Sequence, residues 1–462
     1  MLIALATEIP QANHRVKMEA LLSDIESVPR FRLFGRVARV EGLKIEIEGA
    51  GSVLAIGTEA EIEVTPGRNV RVEVVGLNEG RALALPLGEL EGIRLGCRAF
   101  AGAHEQTLRP SREWLGRVVD GLGRPIDGKG PLWQGAERRP VKAQSIPAHL
   151  RGRVGGRIDL GVRALNNFVT VCEGQRMGIF AGSGVGKSVL LSMMSRYTEA
   201  DVSVVGLIGE RGREVQEFIE DDLGKEGLER SVVVVATSNE PALIRRRAAY
   251  VTMMLAEYFR DQGNRVLCLM DSITRFAMSQ REIGLSCGEP PTTKGYTPTV
   301  FAELPRLLER AGPGVKGKPG SITGLFTVLV DGDDMNEPIS DAVRGILDGH
   351  IVMDRAIAER GRYPAIHVLK SVSRTMPGCN TEAEQTVIRG ARRSLSVYDD
   401  MAELIRLGAY TRGADPEVDQ AILYQPHLEA FLNQRKDERC DIDSGFALLD
   451  AILSDHKIGG KK

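Results

Sequence analysis

The sequence predicts an α/β fold in which a parallel-sheet core follows a small β-barrel and precedes an all-helical domain. Three observations predict it. Short stretches of alternating apolar and polar residues occupy residues 31–93. Near-continuous apolar runs alternate with helical patterns from about 151 to 375, and helical patterns dominate after about 380. At 462 residues the chain also exceeds what one hydrophobic core usually organises.

Composition argues against several functional classes. The formal net charge of −2 argues against nucleic-acid binding through bulk positive charge. No apolar stretch approaches the ~18–20 uncharged residues of a membrane-spanning helix, and the N-terminus has no basic flank, so neither a span nor a signal peptide is expected. The six cysteines are scattered without a CxxC pair, which predicts reduced thiols in a cytosolic protein and no structural zinc site.

The region before the core is predicted to hold a helix, a barrel and a linker. Residues 14–28 carry apolar side chains at helical spacing and end before Pro29, which predicts an amphipathic helix that either packs on its own domain or docks a partner. The barrel strands lack base-stacking aromatics, so scaffolding is favoured over oligonucleotide binding. Residues 94–150 are rich in Gly and Pro and are predicted to be an ordered linker.

The central region is predicted to be a parallel sheet covered by helices on both faces, because its β-branched apolar runs are too continuous for strands with one face in water. The expected strands are 177–180, 202–208, 232–236, 266–270 and 325–330. Helices are expected at 381–408 and 416–434 in the C-terminal domain.

A phosphate-binding loop is the strongest functional signal. The run AGSGVGKS at 181–188 follows a predicted strand and precedes an apolar helix. Its glycines let backbone N–H groups converge on phosphate oxygens, and the helix N-terminus adds its dipole. Lys187 is expected to reach the β and γ phosphates of ATP, and the Ser188 hydroxyl to ligate Mg²⁺. Ala181 replaces the first glycine of the pattern, where only an ordinary φ is required. The predicted nucleotide-binding residues are Gly182, Ser183, Gly184, Val185, Gly186, Lys187, Ser188 and Val189.

Two carboxylates follow predicted strands at the edge of the sheet where nucleotide must bind. Asp271 is predicted to hold the Mg²⁺ shell, although it could instead cap the next helix; the acidic pair at 333–334 competes for the role but has the pattern of a turn. Glu210 is predicted to orient and deprotonate the attacking water, with an exposed ion pair to Arg211 or Arg213 as the alternative.

Several segments resemble the rotary ATPase α/β family. They are the run YPAIHVLKSVSR at 363–374, the linker GRVVDGLGRPIDGKG and the segment 209–211. His367 stands where the family usually has Asp or Asn. Within the family the likeness is greatest to the type III secretion branch, and in particular to flagellar export ATPases. The supporting segments are 288–305, 346–355 and 407–415. The acidic DELSEED-type segment of the F-type catalytic subunit is absent from the C-terminal region.

The resemblance implies a RecA-like P-loop core and assigns roles to individual residues. Tyr363 would stack on the adenine ring, although it could simply pack a turn. Arg374 would be the arginine finger, which stabilises charge on the transferring phosphoryl group. Asp271 would be the Walker B acid, and Arg275 a further polar residue around the site. The implied catalytic set is Glu210, Lys187, Arg374, Glu214 and Arg211.

The resemblance also implies an assembly and partners. Because Glu210 and Arg374 occur on one chain, we expect a homo-oligomeric ring with shared sites. The resemblance implies that this ring is a hexameric Mg-ATPase that energises export of flagellar proteins. It would be cytoplasmic, associated peripherally with the inner membrane. Expected partners are a stalk protein in the ring pore, a regulator on the N-terminal segment, membrane proteins of the export gate and chaperone–cargo complexes, with no nucleic acid. The alternatives are an injectisome ATPase, an RNA-translocating ring helicase and a catalytically dead structural subunit.

These inferences divide the chain into four parts. We expect a partner-binding segment at 1–29, a barrel at 30–95, the ATPase domain with its leading linker at 96–378 and a helical domain at 379–462. The basic cluster at 245–247 is predicted to be a solvated helix face, with a ring-interface or pore role as the alternative.

Overall fold

The computed structural model describes residues 32–49, 53–102, 106–330, 334–376 and 378–455. The predicted helix at 14–28 and Asp333 lie outside the described residues. Within them the chain forms a barrel, a parallel-sheet core and a helical region, in that order. The predicted fold class is therefore confirmed. No helix in the described ranges is long and apolar enough to cross a membrane.

The barrel closes in the strand order β1-β2-β5-β4-β3-β6. Alternating side chains such as Ile45, Ile62 and Val72 point inward and are fully buried, while their polar neighbours face outward. The barrel ends at Ala101, beyond the boundary predicted at residue 95. Its strands are β1 Phe34–Glu41, β2 Lys44–Glu48, β3 Glu59–Thr65, β4 Arg68–Asn78, β5 Arg81–Pro86 and β6 Arg98–Ala101.

The core sheet runs in the order β17-β16-β10-β15-β13-β11-β12-β8, with β14 paired to β15 outside this path. Pairings from β16 to β8 are parallel, and β17 and β14 pair antiparallel. A separate small sheet joins β7 and β9. The remaining strands are β7 Thr107–Leu108, β8 Arg117–Asp120, β9 Arg139–Pro140, β10 Arg176–Ala181, β11 Val202–Glu210, β12 Ser231–Thr237, β13 Arg265–Asp271, β14 Gly312–Pro313, β15 Ser321–Leu329, β16 Gly349–Met353 and β17 Val372–Ser373.

Helices cover both faces of the core sheet. On β11, Val204 and Ile208 join the hydrophobic cluster under α5 to α8, whereas Val205 and Leu207 join the cluster under α1, α2 and the C-terminal helices. A π-helical turn at 218–223 links α3 to α4. The helices are α1 Arg163–Phe168, α2 Lys187–Tyr197, α3 Gly212–Glu217, α4 Gly224–Glu229, α5 Ala242–Asp261, α6 Ile273–Ser286, α7 Pro298–Leu308, α8 Pro338–Ile346, α9 Arg355–Glu359, α10 Glu382–Arg406, α11 Pro416–Leu432 and α12 Ile442–Asp455.

The predicted linker contributes to the core. Its strand β8 pairs in parallel with β12 and forms one edge of the sheet. Trp114, just before β8, is fully buried, and its indole N–H donates to the carbonyl oxygen of Trp133 at 2.9 Å. The linker therefore packs as part of the ATPase core.

The basic cluster Arg245–Arg247 was predicted to be a solvated helix face, and this prediction is wrong. On α5, Arg246 donates to Glu73 of the barrel at 2.6 Å, and Arg247 pairs with Glu59 of the barrel. Both arginines are buried. The guanidinium of Arg245 lies 2.7 Å from Glu282 of α6. This cluster joins the barrel to the core within one chain, because the buried carboxylates of the barrel require cationic partners.

Candidate active site

The phosphate loop joins β10 to α2. Gly184 and Gly186 have φ of 79° and 85°, a left-handed conformation that favours glycine. Gly186 is also the N-cap of α2 and supplies no side-chain cap, so the first N–H groups of this helix are free to bind an anion. Ala181 is the last residue of β10, where it pairs in register with Leu329 and Met353. That extended position explains why alanine fits where the pattern usually has glycine.

Lys187, Asp271 and Glu210 converge beside the loop. The Lys187 ammonium lies 2.6 Å from a carboxylate oxygen of Asp271 and 3.7 Å from one of Glu210. All three side chains are at most 14% exposed. Burial alone would lower the pKa of Lys187, but attraction to the two carboxylates raises it. The predicted lysine and both predicted acids therefore form one buried charged cluster.

Glu210 has the electrostatics of a general base. Burial and the neighbouring charge of Asp271 raise its pKa to about 7, although Lys187 opposes the shift. A hydrogen bond with Glu214 adds to the rise. Its Oε1 is buried without a hydrogen-bond partner among the described residues. A carboxylate with an open oxygen and a pKa near neutrality can accept a proton from water at physiological pH.

Arg211 and Glu214 flank this cluster differently. Glu214 is partly buried and interacts with Glu210, whereas the Arg211 side chain is 82% exposed. The Arg211 guanidinium lies 3.3 Å from Glu214. The structure thus brings Glu214 to the cluster and leaves Arg211 at its solvent side.

Tyr363 lies against the phosphate loop. A Cβ placed on Gly186 would be 3.3 Å from two carbons of the Tyr363 ring. The backbone of Tyr363 bonds to the helical domain just after α11: its N–H donates to Asn433 at 3.2 Å, and its carbonyl accepts from Gln434 at 2.7 Å. The ring remains 45% exposed, so one face is open to a planar ligand. Ser188 and Val189 occupy the first turn of α2 and are also partly exposed.

Arg374 lies at the opposite edge of the sheet. Its N–H donates to the carbonyl of Asp348, whose own N–H donates to Arg176 at the start of β10. The phosphate loop begins at the other end of β10, about 16 Å away at ~3.3 Å per residue. The Arg374 side chain is exposed, and no carboxylate pairs with it in the described part of the chain. It lines a cavity of about 420 Å³ with Arg344 and His350.

Two residues that the sequence reasoning did not single out also touch the site. The Thr327 hydroxyl, on β15, donates to Asp271 at 2.6 Å. A guanidinium nitrogen of Arg355 lies 3.4 Å from the carbonyl oxygen of Ser183 in the loop. The sequence does offer a signal for Thr327, because it is the polar residue inside the otherwise apolar strand 325–330. Arg355 is the last residue of the segment 346–355, which carries part of the family resemblance.

Comparison with known proteins identifies the family. Residues 161–373 match the family described as ATP synthase alpha/beta family, nucleotide-binding domain, and residues 380–451 match the T3SS EscN ATPase C-terminal domain. A flagellum-specific ATP synthase of Caulobacter vibrioides is 59% identical over 440 residues, covering 94% of this chain and 99% of that protein. The chain belongs to the ATP synthase alpha/beta family. The sequence-based assignment is confirmed, and the chain is an ATPase.

Other members of the family are less similar. A type 3 secretion system ATPase of Xanthomonas euvesicatoria is 44% identical over 92% of this chain and 95% of its own length. The solved structure of the assembled ATPase EscN from enteropathogenic E. coli superimposes with a TM-score of 0.85 at 39% identity, covering 91% of this chain and 100% of that one. EscN has also been solved in complex with its central stalk EscO, with a TM-score of 0.83 at 38% identity over the same shares.

Proposed function

We propose that this chain energises export of flagellar proteins through a type III secretion apparatus, as a homohexamer that hydrolyses ATP at sites shared between neighbours. One observation carries the proposal. Lys187, Asp271 and Glu210 meet at the phosphate loop, whereas Arg374 lies at the opposite edge of the same sheet. One polypeptide therefore presents two complementary half-sites on different surfaces.

ATP is the substrate of the first half-site. The N–H groups of 182–186 bind its phosphates, Tyr363 stacks on the adenine, and Lys187 exchanges Asp271 for the β and γ phosphates. The Ser188 hydroxyl and the Asp271 carboxylate would hold Mg²⁺, which supplies charge neutralisation at the phosphates. The described residues contain no group of three or more metal-ligating side chains. That fits Mg²⁺, which is normally held by one or two carboxylates and the substrate phosphates.

Glu210 acts on the attacking water. Its open oxygen accepts the water proton while the water attacks the γ phosphorus, and the hydrogen bond to Glu214 then stabilises the protonated carboxyl of Glu210. We assign Arg211, which is exposed on the solvent side of Glu214, to contact with a neighbouring subunit rather than with the phosphates.

Arg374 completes the site of a neighbour. A finger must approach the transferring phosphoryl group, and the length of β10 separates Arg374 from the loop of its own chain. In a head-to-tail ring the edge that carries Arg374 faces the phosphate loop of the next copy. A single chain is therefore expected to hydrolyse ATP slowly, since a missing finger costs roughly 10³–10⁵ in rate.

We infer the partners from the family to which the chain belongs. Assembled EscN and its complex with a central stalk support self-association and a stalk protein in the pore of this chain's ring. We assign the segment 1–29 to a regulator, and chaperone–cargo complexes and export-gate proteins to the assembled ring. The chain would work in the cytoplasm, at the inner membrane.

Mixed rings test the shared site. Lys187→Ala and Arg374→Ala are each expected to abolish turnover, because each removes one half of every site. Mixing the two variants should restore activity, up to about a quarter of the wild-type level for random equal mixing. Phosphate release is measured, and native mass spectrometry verifies mixed rings. Mixed rings without any rescue would refute the shared site.

The assignment to flagella rests on the higher identity to a flagellum-specific relative, 59% against 44% for a secretion-system ATPase. Deleting the gene from its host should abolish filament assembly and swimming, and the wild-type gene should restore both. A gene carrying Glu210→Gln should not restore them. Normal filaments after deletion would exclude the flagellar role while leaving the ATPase intact.

A further inference from the structure

Two cysteines that lie far apart in the sequence meet in the fold. Cys172 sits in the turn before β10, and Cys379 follows Arg374 just before α10. Each thiol is the largest influence on the pKa of the other, so the two side chains are close, and both are free thiols. Cys172 is fully buried, whereas Cys379 is partly exposed. We refer to these two residues as the thiol pair.

A buried amide holds the two turns of the thiol pair together. The Gln175 carbonyl oxygen accepts from the N–H of Cys172 at 2.9 Å and from the hydroxyl of Thr375 at 3.0 Å. Its amide nitrogen donates to Ser373 at 2.9 Å. Cys379 in turn donates its N–H to the carbonyl of Thr375 at 3.3 Å. Because Cys172 is bonded to Gln175 directly and Cys379 is linked to it through Thr375, the two turns are held together and the sulfurs lose little freedom on joining.

The environment favours a thiolate on one member of the pair. Interaction with Cys379 lowers the pKa of Cys172 to about 7, against the effect of burial, and the same interaction raises the pKa of Cys379. The pair thus loses its first proton more easily than an isolated thiol. Cys379 is the accessible sulfur, and the neighbouring Cys172 thiolate can accept its proton as Cys379 attacks an oxidant.

We propose that Cys172 and Cys379 form a thiol–disulfide exchange site that takes a low-molecular-weight disulfide such as glutathione disulfide. The Cys379 thiolate attacks one sulfur of the oxidant, forms a mixed disulfide and releases one glutathione. The sulfur of Cys172, as thiolate, then displaces the second glutathione and closes the intramolecular disulfide. Two protons and two electrons leave the protein thiols, and both reduce the oxidant to two glutathione thiols.

The disulfide would restrain the segment that carries Arg374. Closure ties the residues after β17 to the turn before β10, next to the Asp348 carbonyl that positions Arg374. A shared site must open to release product, so a fixed Arg374 segment is expected to slow turnover several-fold, reversibly. This consequence rests on the proposed shared site, whereas disulfide formation does not.

Thiol counting and mass spectrometry test the site on the full chain. The protein is equilibrated in glutathione buffers of graded oxidised fraction, alkylated and digested without reduction. We expect two of the six thiols to be lost and a peptide pair linked through Cys172 and Cys379. Cys172→Ser should stop at a mixed disulfide on Cys379, Cys379→Ser should keep Cys172 as a free thiol, and Cys97→Ser should behave as wild type.

The outcomes separate the two claims. Full alkylation of both cysteines at every buffer ratio, in protein with a wild-type circular dichroism melt, would overturn the exchange site. A disulfide that forms while ATP turnover stays unchanged would overturn its effect on Arg374 and keep the site. Slowed turnover that recovers with dithiothreitol in wild type, but is absent from Cys379→Ser, supports both.

Discussion

Glu210 combines burial, a nearby carboxylate and an open oxygen, and this combination fixes how activity should depend on pH. A general base works in its deprotonated form, and the pKa of Glu210 is raised to about 7. We therefore expect kcat/KM, which reports the free enzyme, to rise with pH through about 7. Glu210→Gln should lower kcat at least about 10²-fold and keep ATP binding, because only the proton acceptor is lost.

The pH profile of phosphate release and binding of a fluorescent ATP analogue check this expectation. Glu220→Gln, on the exposed side of the π-helical turn, is the matched control and should keep the wild-type profile. A Glu210→Gln enzyme with wild-type kcat would exclude the proton-acceptor role.

For individual residues, the sequence predicted those that meet at the phosphate loop, but it missed contacts between residues that are distant in the chain. The loop, Asp271 and Glu210 were found because strand ends and glycine spacing are local signals. Thr327 was missed because its contact with Asp271 depends on the pairing of β13 with β15, which brings together residues distant in the chain. The thiol pair was missed for the same reason.

Helix α5 holds the barrel on the core through two buried ion pairs, and their strength can be measured. Arg246→Ala leaves Glu73 buried without its cation, because among the described residues only Gln106 still donates to it. We expect a loss of about 3–5 kcal/mol in the free energy of unfolding. Arg245→Ala, on the same helix, should cost at most about 1 kcal/mol, since its partner Glu282 is 43% exposed.

Urea unfolding, followed by circular dichroism, compares the two variants. Equal losses for Arg245→Ala and Arg246→Ala would contradict the assignment of a buried barrel-to-core contact. The Glu73→Gln variant should recover part of the stability of Arg246→Ala, because it removes the unpaired charge.

Strand β8 is stabilised by an ion pair with the turn that follows it. Arg117 donates to both oxygens of Asp127 at 2.7 and 2.9 Å, and the N–H groups of Val118 and Lys129 donate to the same carboxylate. Burial alone would raise the pKa of Asp127, but these hydrogen bonds hold it well below its usual value.

The sign of the pH effect follows from that lowered pKa. The stabilisation is complete above the unfolded pKa of about 4 and is lost as pH falls toward the folded value. Asp127→Asn should therefore cost about 1–3 kcal/mol at pH 7, and the difference from wild type should shrink below about pH 4. Urea titrations at several pH values measure it; a difference that grows on acidification would refute the ion pair.

Elements were predictable where the pattern was long and repeated. The five predicted core strands lie within or beside β10, β11, β12, β13 and β15, because continuous apolar runs need no distant information. The sequence does not predict strand β8 within the linker, because the strand is short and is stabilised by β12, far along the chain. The arginines of α5 looked solvated because their carboxylate partners lie in another domain.

On the scale of the whole molecule, activity should depend on assembly. We expect ATP turnover per chain to rise steeply with protein concentration, because each added neighbour supplies Arg374 to a site that lacked it. Arg374→Ala should remove this rise without changing the mass of the assembly. Phosphate release and light scattering over the same concentration series measure both, and a constant turnover per chain across the assembly transition would contradict shared sites.

The order of the three folded regions was predictable, whereas their contacts were not. Composition and periodicity change along the chain at the places where the barrel, the sheet and the helices begin. The bonds that join them, such as Tyr363 to Asn433 and Arg246 to Glu73, connect residues that no local pattern links. The expected assembly and partners of the ring stay predictions.

The separation of Arg374 from the phosphate loop gives the subunit a polarity. Copies that associate through these two edges form a directional row in which the first and last members each keep one unmatched edge. A row of n copies then completes n − 1 catalytic centres, and only closure completes the last one. Bound ATP therefore stabilises the closed ring, because the ATP at the final junction is the ligand that joins the two ends.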